Sequence, residues 1–319
     1  MSHQKFFTAI ALSASRTRLI ASVVSIIAVS SQVNPQGINT LLQGQFNLPV
    51  ASAQNRPIVM GLIPAENNQE MTQKFEPMRA YLEKKLGRPV KVFTATDYAG
   101  VIEAMRRDRV DIAWFGPLSY VLAEQEAGAE AFAVGVRKNG QSTYRSIFVV
   151  PGDSPVKSLQ DLKGKNVAFV DPASTSGALV PSFIVKKTTG KLPQEFFGKL
   201  TYAGSHDAAE LAVKNKTVDA AADNDITYEK MLSQGLITKQ SNRVLLTSDP
   251  LPGSPLTYRN DLDAAIKQKV RDAILNAHKE IKVTGYGDLL RYDAVTPPKY
   301  QSIRDMVKQL GLRREQMLK

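Results

Sequence analysis

The apolar positions along the chain alternate between the spacing of buried strands and the spacing of amphipathic helices. Residues 58–63 (IVMGLI) form an uninterrupted apolar run that predicts a buried strand. Residues 69–86 then carry apolar side chains at helical spacing and stop at Gly87, which predicts a helix with a glycine after its last turn. Further strands are predicted at 90–95 and 110–115. Strands that alternate with helices predict a parallel, doubly wound α/β sheet.

The same alternation recurs in a second set of elements. A strand is predicted at 145–150 (RSIFVV), and the residues 151–153 (PGD) after it mark a break in the pattern. Short strands beyond this break are predicted at 166–170, 199–203 and 218–222. The apolar residues 244–247 (VLLT) predict a strand that returns to the first set, where the later helical segments are expected to pack.

A chain of 319 residues exceeds what one hydrophobic core usually fills, so two lobes are expected. The pattern assigns residues 54–149 and 249–319 to lobe one and residues 150–248 to lobe two. The chain then crosses between the lobes twice. This predicts a hinge of two strands with a cleft between the lobes.

Residues 1–53 have the pattern of a signal peptide. They contain basic residues and no acidic ones, and the apolar run at 19–29 follows the arginines directly. That run is shorter than the roughly 20 residues that cross a bilayer. Residues 51–53 (ASA) predict cleavage after Ala53, with an earlier cut near 28–31 or an uncleaved anchor as alternatives.

Composition and charge exclude several classes of function. The chain carries 41 Lys and Arg against 30 Asp and Glu, a net charge of +11. Beyond the signal segment the two signs are interleaved, which favours solvated helix faces over a nucleic-acid surface. The absence of cysteine excludes disulfides, thiolate metal sites, cysteine nucleophiles and a diacylglyceryl-cysteine lipid anchor. With three histidines, we expect neither a metal centre nor a cofactor.

The most informative segment runs from a predicted strand end, through three hydroxyl residues, into a predicted helix. Residues 170–177 read VDPASTSG, so Ser174, Thr175 and Ser176 stand at the helix start. A helix start offers unpaired backbone N–H groups and the positive end of the helix dipole, and hydroxyls add further donors. This combination suits a small tetrahedral oxyanion. The alternative is that Ser174 or Thr175 only caps the helix.

Two other polar segments follow strands of the same predicted lobe. Residues 204–207 read GSHD and residues 222–225 read ADND. Both stand at carboxyl ends of strands, where open α/β sheets bind ligands. His206 can donate to an anionic oxygen, whereas Asp225 can only accept, so an oxyanion beside Asp225 would carry a P–OH proton and sulfate would be repelled. The alternatives are a surface position or an Asp207 partner for His206, and a helix cap at Asp223 or Asp225.

These motifs resemble those of the phosphonate- and phosphite-binding components of ABC importers, and the resemblance spans the mature chain. AFVDPASTSG followed by GSHDAA is its most specific part. The resembling segments are FEPMRAYLEKKLG (75–87), TDYAGVIEAM (96–105), VDIAWFGPLSY (110–120), SLQDLKGKNVAFVDPASTSG (158–177), YAGSHDAAELAVKNKTVDAA (202–221) and SDPLPGSP (248–255).

The resemblance implies the α/β type II periplasmic binding protein fold, with two doubly wound lobes joined by a two-strand hinge. It also implies a cleft that binds a small phosphorus oxyanion. In the family the STSG helix start grips the oxyanion, helped by two tyrosines, the SHD histidine and an acid near a later strand. The ligand-binding positions implied here are Tyr98, Tyr144, Ser174, Thr175, Ser176, His206 and Asp225.

One segment departs from the family members that bind aminoethylphosphonate. Those members use an additional acid near the second hinge segment for the ammonium, and residues 252–255 here read PGSP. A zwitterionic ligand would lose its counter-charge, which favours phosphite or methylphosphonate; Asp249 is a nearby acid that could replace it. Trp114 stands in a predicted buried strand and is assigned to the core without a binding role.

We therefore expect a monomeric periplasmic solute receptor that is not an enzyme, binds no nucleic acid and delivers its ligand to an ABC permease in the inner membrane. One alternative is an exported phosphatase or hydrolase that uses Ser174 or Ser176 with His206 and Asp225. The chain has no G-x-S-x-G motif and too few histidines for a two-metal site, which weakens this alternative. A second alternative is a domain that reports ligand to a membrane kinase.

Overall fold

The computed structural model describes residues 56–318, and the predicted signal peptide lies outside the described residues. No helix within 56–318 is long and apolar enough to cross a membrane. The α-helices of this part are α1 (Asn68–Leu86), α2 (Tyr98–Arg106), α3 (Pro117–Ala127), α4 (Val180–Thr189), α5 (Pro193–Phe196), α6 (His206–Lys214), α7 (Asp225–Ser233), α8 (Ala264–Asn276), α9 (Gln301–Leu310) and α10 (Arg314–Met317). Its strands are β1 (Ile58–Leu62), β2 (Val90–Thr94), β3 (Ile112–Trp114), β4 (Ala129–Arg137), β5 (Thr143–Tyr144), β6 (Ser146–Pro151), β7 (Asn166–Phe169), β8 (Lys199–Tyr202), β9 (Ala220–Asn224), β10 (Asn242–Thr247), β11 (Leu251–Pro252), β12 (Pro255–Arg259) and β13 (Leu289–Ala294).

The first sheet has the strand order β13-β4-β12-β3-β1-β2 and, with its helices, forms the first lobe. Strand β1 pairs in parallel with β2 and β3. Strand β12 lies between β3 and β4 and is antiparallel to both. The predicted parallel pairing is therefore confirmed for β1, β2 and β3 but not for β12, which runs in the opposite direction to β3.

The second sheet has the order β10-β6-β9-β7-β8 and, with its helices, forms the second lobe. Strand β7 is parallel to β8 and β9, while β6 is antiparallel to β9 and β10. The predicted strands at 145–150 and 244–247 correspond to β6 and β10. Both lie in this second sheet. Strand β6 is therefore not the last strand of the first lobe, and β10 is not the strand that returns to it. Every residue of β6 is buried, as expected for a strand with neighbours on both sides.

A short two-stranded ribbon joins the sheets, formed by β5 and β11. Its strands are antiparallel, and Leu251 lies opposite Tyr144. The chain thus crosses between the lobes at 143–144 and again at 251–252. The lobe limits at 149 and 249 remain predictions, and the ribbon carries Tyr144 into the space between the lobes.

Hydrogen bonds across the cleft hold the two lobes together. The His206 N–H donates to the Ala65 carbonyl over 2.9 Å. The Leu118 N–H, in the first turn of α3, donates to Thr175 Oγ1 over 2.8 Å. Lys230 of α7 pairs with Glu66, with 2.7 Å between Nζ and Oε1. These contacts describe a closed arrangement of the cleft.

Candidate functional site

The hydroxyl segment begins the helix that follows β7. Ser174 has an extended backbone, and its Oγ accepts the Gly177 N–H over 3.0 Å, so it caps the helix. Thr175–Leu179 forms a π-helical turn that continues into α4. Single π-helical turns of this kind occur frequently at functional sites. The capping alternative is therefore correct for Ser174. The Thr175 hydroxyl oxygen instead accepts a hydrogen bond from the other lobe.

Gly177 lets this helix start lie directly against the strand before it. The Val170 N–H donates to the Gly177 carbonyl over 2.9 Å. A Cβ atom added at Gly177 would lie 2.4 Å from the Cβ of Val170, which no side chain could tolerate without backbone movement. The glycine of the STSG motif thus sets the position of the hydroxyl groups relative to the sheet.

A small buried cavity, here called the central cavity, lies between the lobes at this helix start. The volume open to the centre of a water molecule is about 20 Å³, and one water needs roughly 10–15 Å³. The cavity therefore suits a ligand of few heavy atoms. The predicted ligand-binding residues that line it are Tyr98, Tyr144, Ser174, Thr175, Ser176 and His206.

Two buried tyrosines bring hydroxyl groups to the central cavity. Tyr98 is 2% exposed, and its Oη has no hydrogen-bond partner in the protein. The Tyr144 hydroxyl lies beside those of Thr175 and Ser176. Burial raises the pKa of both tyrosines, so both remain protonated donors. A buried hydroxyl without a partner is costly, and Tyr98 contributes such a hydroxyl here.

His206 and Asp223 form a buried pair behind the cavity wall, with 2.5 Å between Nδ1 and Oδ1. Burial lowers the pKa of His206 to about 4 and raises that of Asp223 well above its ordinary value. Both shifts favour the uncharged forms of the two side chains. His206 is therefore neither a surface residue nor a partner of Asp207, whose carboxylate instead accepts from the Ser205 hydroxyl.

A second buried acid stands behind this pair and was missed by sequence reasoning. Glu210 of α6 lies beside Asp223, and its Oε2 accepts the Asn242 side-chain N–H over 2.7 Å. Burial, together with the neighbouring Asp223, raises the pKa of Glu210 well above its ordinary value. This shift favours the protonated form of Glu210, and its Oε1 and the Oδ2 of Asp223 have no hydrogen-bond partner among the described residues.

Asp225 is not among the residues that line the central cavity. Its Oδ1 accepts the Arg145 N–H over 3.0 Å, and its Oδ2 lies 3.9 Å from Arg137 Nη2. Strand β9 instead directs Asp223 to His206, and Asn224 caps α7 by accepting the Thr227 N–H. The prediction that Asp225 selects a protonated ligand and repels sulfate is therefore not supported at this position.

Seven further residues line the central cavity, among them Trp114, Asn224, Ser254 and Tyr286. The assignment of Trp114 to the core alone is incomplete, because its buried ring also forms cavity wall and contacts Tyr286 at 5.0 Å between ring centroids. Tyr286 is held by Thr227, with 2.6 Å between the two hydroxyl oxygens. The position of Trp114 at the carboxyl end of β3 was a usable signal, whereas no motif surrounds Tyr286.

Comparison with known proteins matches this chain to periplasmic receptors. Residues 60–302 match the family described as the periplasmic substrate-binding protein of phosphonate ABC transporters. The chain is 34% identical over 263 residues to the phosphonates-binding periplasmic protein of Escherichia coli (strain K12), covering 81% of this chain and 75% of that one. It is 32% identical over 224 residues to the phosphate-import protein PhnD of Mycolicibacterium smegmatis, covering 67% and 70%.

A solved structure has the same architecture. It is a binding protein component of an ABC phosphonate transporter from Pseudomonas aeruginosa, with a TM-score of 0.73 and 30% sequence identity. The similarity covers 81% of this chain and 87% of that one. With its two lobes in the type II periplasmic binding protein fold, the chain belongs to the family of periplasmic substrate-binding proteins of phosphonate ABC transporters.

Proposed function

We propose that the protein captures a small phosphorus oxyanion, phosphite or methylphosphonate, in the central cavity and delivers it to an ABC permease in the inner membrane. The observation that carries this proposal is the convergence of hydroxyl donors from both lobes and the hinge on one buried cavity. The Tyr98 hydroxyl, which has no partner in the protein, is the clearest of them. The family and the phosphonate-binding relatives support the same class of ligand.

The donor set can hold an anion without a cation. Within the described residues, the lining of the central cavity has no lysine or arginine. The anion would be bound by hydroxyl groups, by the His206 side chain and by the positive end of the helix dipole at the start of α4. Hydrogen bonds to a charged group are worth more than neutral ones, about 1.5–3 kcal/mol each.

The aromatic part of the cavity wall favours a ligand with three oxygens and one small apolar substituent. That wall contains the aromatic rings of Trp114 and Tyr286. A P–H or P–CH₃ group loses little there, whereas the fourth oxygen of orthophosphate or sulfate must find a partner. Ser254 is the small polar side chain available to provide one.

Export and release complete the proposed role. Residues 1–53 would direct export and be removed after Ala53, and the mature protein would act as a monomer without nucleic acid. Ligand bound between Tyr98 and the Ser174–Ser176 segment would stabilise the closed cleft, which is the form that a permease can recognise.

A hydrolase is less well supported by the same geometry. The Ser174 hydroxyl is engaged as a helix cap, and His206 Nδ1 is engaged by Asp223. Among residues 56–318, no hydrogen bond joins Ser174 or Ser176 to His206, so the activated serine of a nucleophilic mechanism is missing from this arrangement.

Calorimetric titration of the purified mature protein tests the proposal. We expect phosphite or methylphosphonate to bind stoichiometrically and at least about tenfold tighter than orthophosphate or sulfate, a difference of roughly 1.4 kcal/mol. Aminoethylphosphonate should bind more weakly than methylphosphonate. If orthophosphate is the tightest ligand, the preference for a small apolar substituent is wrong, and Ser254 is the expected partner of the fourth oxygen. Hydrolysis of p-nitrophenyl phosphate that depends on Ser174 would instead support the enzyme.

A further inference from the structure

A second cavity, here called the side chamber, adjoins the central cavity. The two cavities share Trp114, Tyr144, Ser254 and Tyr286 as lining residues. The volume of the side chamber open to the centre of a water molecule is about 30 Å³. This exceeds the roughly 10–15 Å³ that one water needs. A ligand held in the central cavity therefore has room beside it for a short substituent.

Arg137, at the end of β4, supplies the charge of the side chamber. Its side chain is 14% exposed, and its Nη2 donates to the Thr143 carbonyl over 2.8 Å. The nearest carboxylate, Asp225, lies 3.9 Å from Nη2. The buried Nε of Arg137 has no hydrogen-bond partner in the protein. The guanidinium thus keeps an N–H donor that nothing in the protein satisfies.

Tyr292 supplies a second unsatisfied donor in the same chamber. Its side chain is 2% exposed, and its Oη has no hydrogen-bond partner in the protein. Burial raises its pKa, so the hydroxyl stays protonated. Two buried donors without acceptors in one small chamber are unusual in a native protein, where such groups are nearly always satisfied. A group that accepts hydrogen bonds from both would remove their cost.

The charges around the side chamber disfavour an ammonium group. No carboxylate is among its described lining residues, and Arg137 is the charged side chain there. Asp249, which the sequence left as a possible counter-charge, lines neither cavity. An ammonium group would be repelled by the guanidinium and would find no acceptor in the two unsatisfied donors. A carboxylate would be attracted by the guanidinium and could accept hydrogen bonds from both donors.

We propose that the side chamber binds the substituent of a phosphonate whose short carbon chain ends in a carboxylate, with the phosphonate group held in the central cavity. This inference rests on the proposed function and extends its ligands from methylphosphonate to carboxyalkylphosphonates. The carboxylate accepts from the Arg137 Nε–H and the Tyr292 hydroxyl.

Calorimetric titration with phosphonoacetate, ethylphosphonate and 2-aminoethylphosphonate tests the inference. Phosphonoacetate should bind the wild-type protein at least about tenfold tighter than either of the others. Arg137→Gln should abolish this advantage and leave methylphosphonate affinity within about twofold of wild type. Tyr292→Phe removes one oxygen and should reduce the advantage of phosphonoacetate severalfold. This second variant tests the inference if Arg137→Gln does not fold.

Lys138→Gln is the matched control. Lys138 is the next residue, its side chain is exposed, and it does not line the side chamber. This variant removes the same charge from the same region, so the advantage of phosphonoacetate should persist in it.

The outcomes separate the inference from the proposed function. If methylphosphonate binds but phosphonoacetate binds no better than ethylphosphonate, the inference fails and the proposed function stands. An advantage that survives both Arg137→Gln and Tyr292→Phe also overturns the inference. If neither phosphite nor methylphosphonate binds, the proposed function itself fails.

Discussion

Ser174 and Ser176 stand two residues apart, but their hydroxyl groups have different surroundings. Ser174 Oγ accepts the Gly177 N–H and so stabilises the helix start. Ser176 Oγ has no such cap contact and lines the central cavity beside Tyr144. The pair therefore offers a way to separate the stability of the fold from the binding of the ligand.

We expect Ser176→Ala to weaken oxyanion binding by roughly 1.5–3 kcal/mol, because it removes a donor to a desolvated charge. The free energy of unfolding of the ligand-free protein should change little. Ser174→Ala should lower that free energy by about 1 kcal/mol through the lost cap. Calorimetry and urea unfolding of both variants measure these effects. Unchanged affinity in Ser176→Ala would reduce the STSG segment to a helix cap.

The difference between Asp223 and Asp225 shows what the sequence could not supply at this scale. Asp223 lies near the end of β9 and Asp225 directly after it, and either could have faced a ligand. The choice depends on how β9 pairs with β6 and β7 and on where α6 brings His206. Such contacts between distant segments leave no local pattern, whereas the STSG hydroxyl groups do, since their role follows from the adjoining helix start.

At the scale of elements, the close contact of β7 and α4 at Gly177 fixes the site. Gly177→Ala should push the helix start away from Val170, because the added Cβ would lie 2.4 Å from the Val170 Cβ. We expect a loss of about 1–3 kcal/mol in the free energy of unfolding and weaker oxyanion binding as well. Thermal unfolding and titration of the same variant measure both losses.

Gly190→Ala provides the comparison at the other end of α4. Gly190 has a φ of +75° and nothing within 4 Å of an added Cβ. Its substitution should cost about 1 kcal/mol of stability through backbone strain and leave affinity unchanged. Equal effects of the two substitutions on affinity would mean that the strand contact at Gly177 does not set the site.

The alternation of strands and helices was readable from apolar spacing, and so was the helix that the hydroxyl segment begins. The antiparallel insertion of β12 between β3 and β4 was not, because it pairs segments more than a hundred residues apart. The same is true of Tyr286, which reaches the cavity from a loop without a motif. Local periodicity reports which face of an element is buried, but not which neighbour buries it.

For the whole molecule, closure of the cleft depends on charges that meet across it. Lys230 of the second lobe pairs with Glu66 and with Glu70 of the first lobe, at 2.7 Å and 3.0 Å. Glu66 is 1% exposed in the closed arrangement and also pairs with Lys74. Loss of Lys230 would leave this buried carboxylate with a single counter-charge.

We therefore expect Lys230→Gln to weaken oxyanion binding by about tenfold, or roughly 1.4 kcal/mol. Without the Lys230 ion pairs, closing the cleft costs more free energy, and less of the binding free energy remains after that cost. Lys230 touches neither cavity that we assign to the ligand, so this effect would act through the lobes. Small-angle scattering with saturating ligand should show a larger radius of gyration than wild type. Lys216→Gln, which breaks an exposed pair with Asp153 inside the second lobe, should change neither quantity.

Trp114 gives this protein an internal optical reporter. It is the one tryptophan of the sequence, and its indole forms part of the wall of both cavities. Its ring also contacts Phe75 and Tyr286, so its surroundings change when the space on either side is filled. Tryptophan emission should therefore shift on ligand binding without any added label. Ligands that fill one cavity or both should give different spectra, so a single fluorescence titration could sort phosphonates by the length of their substituents.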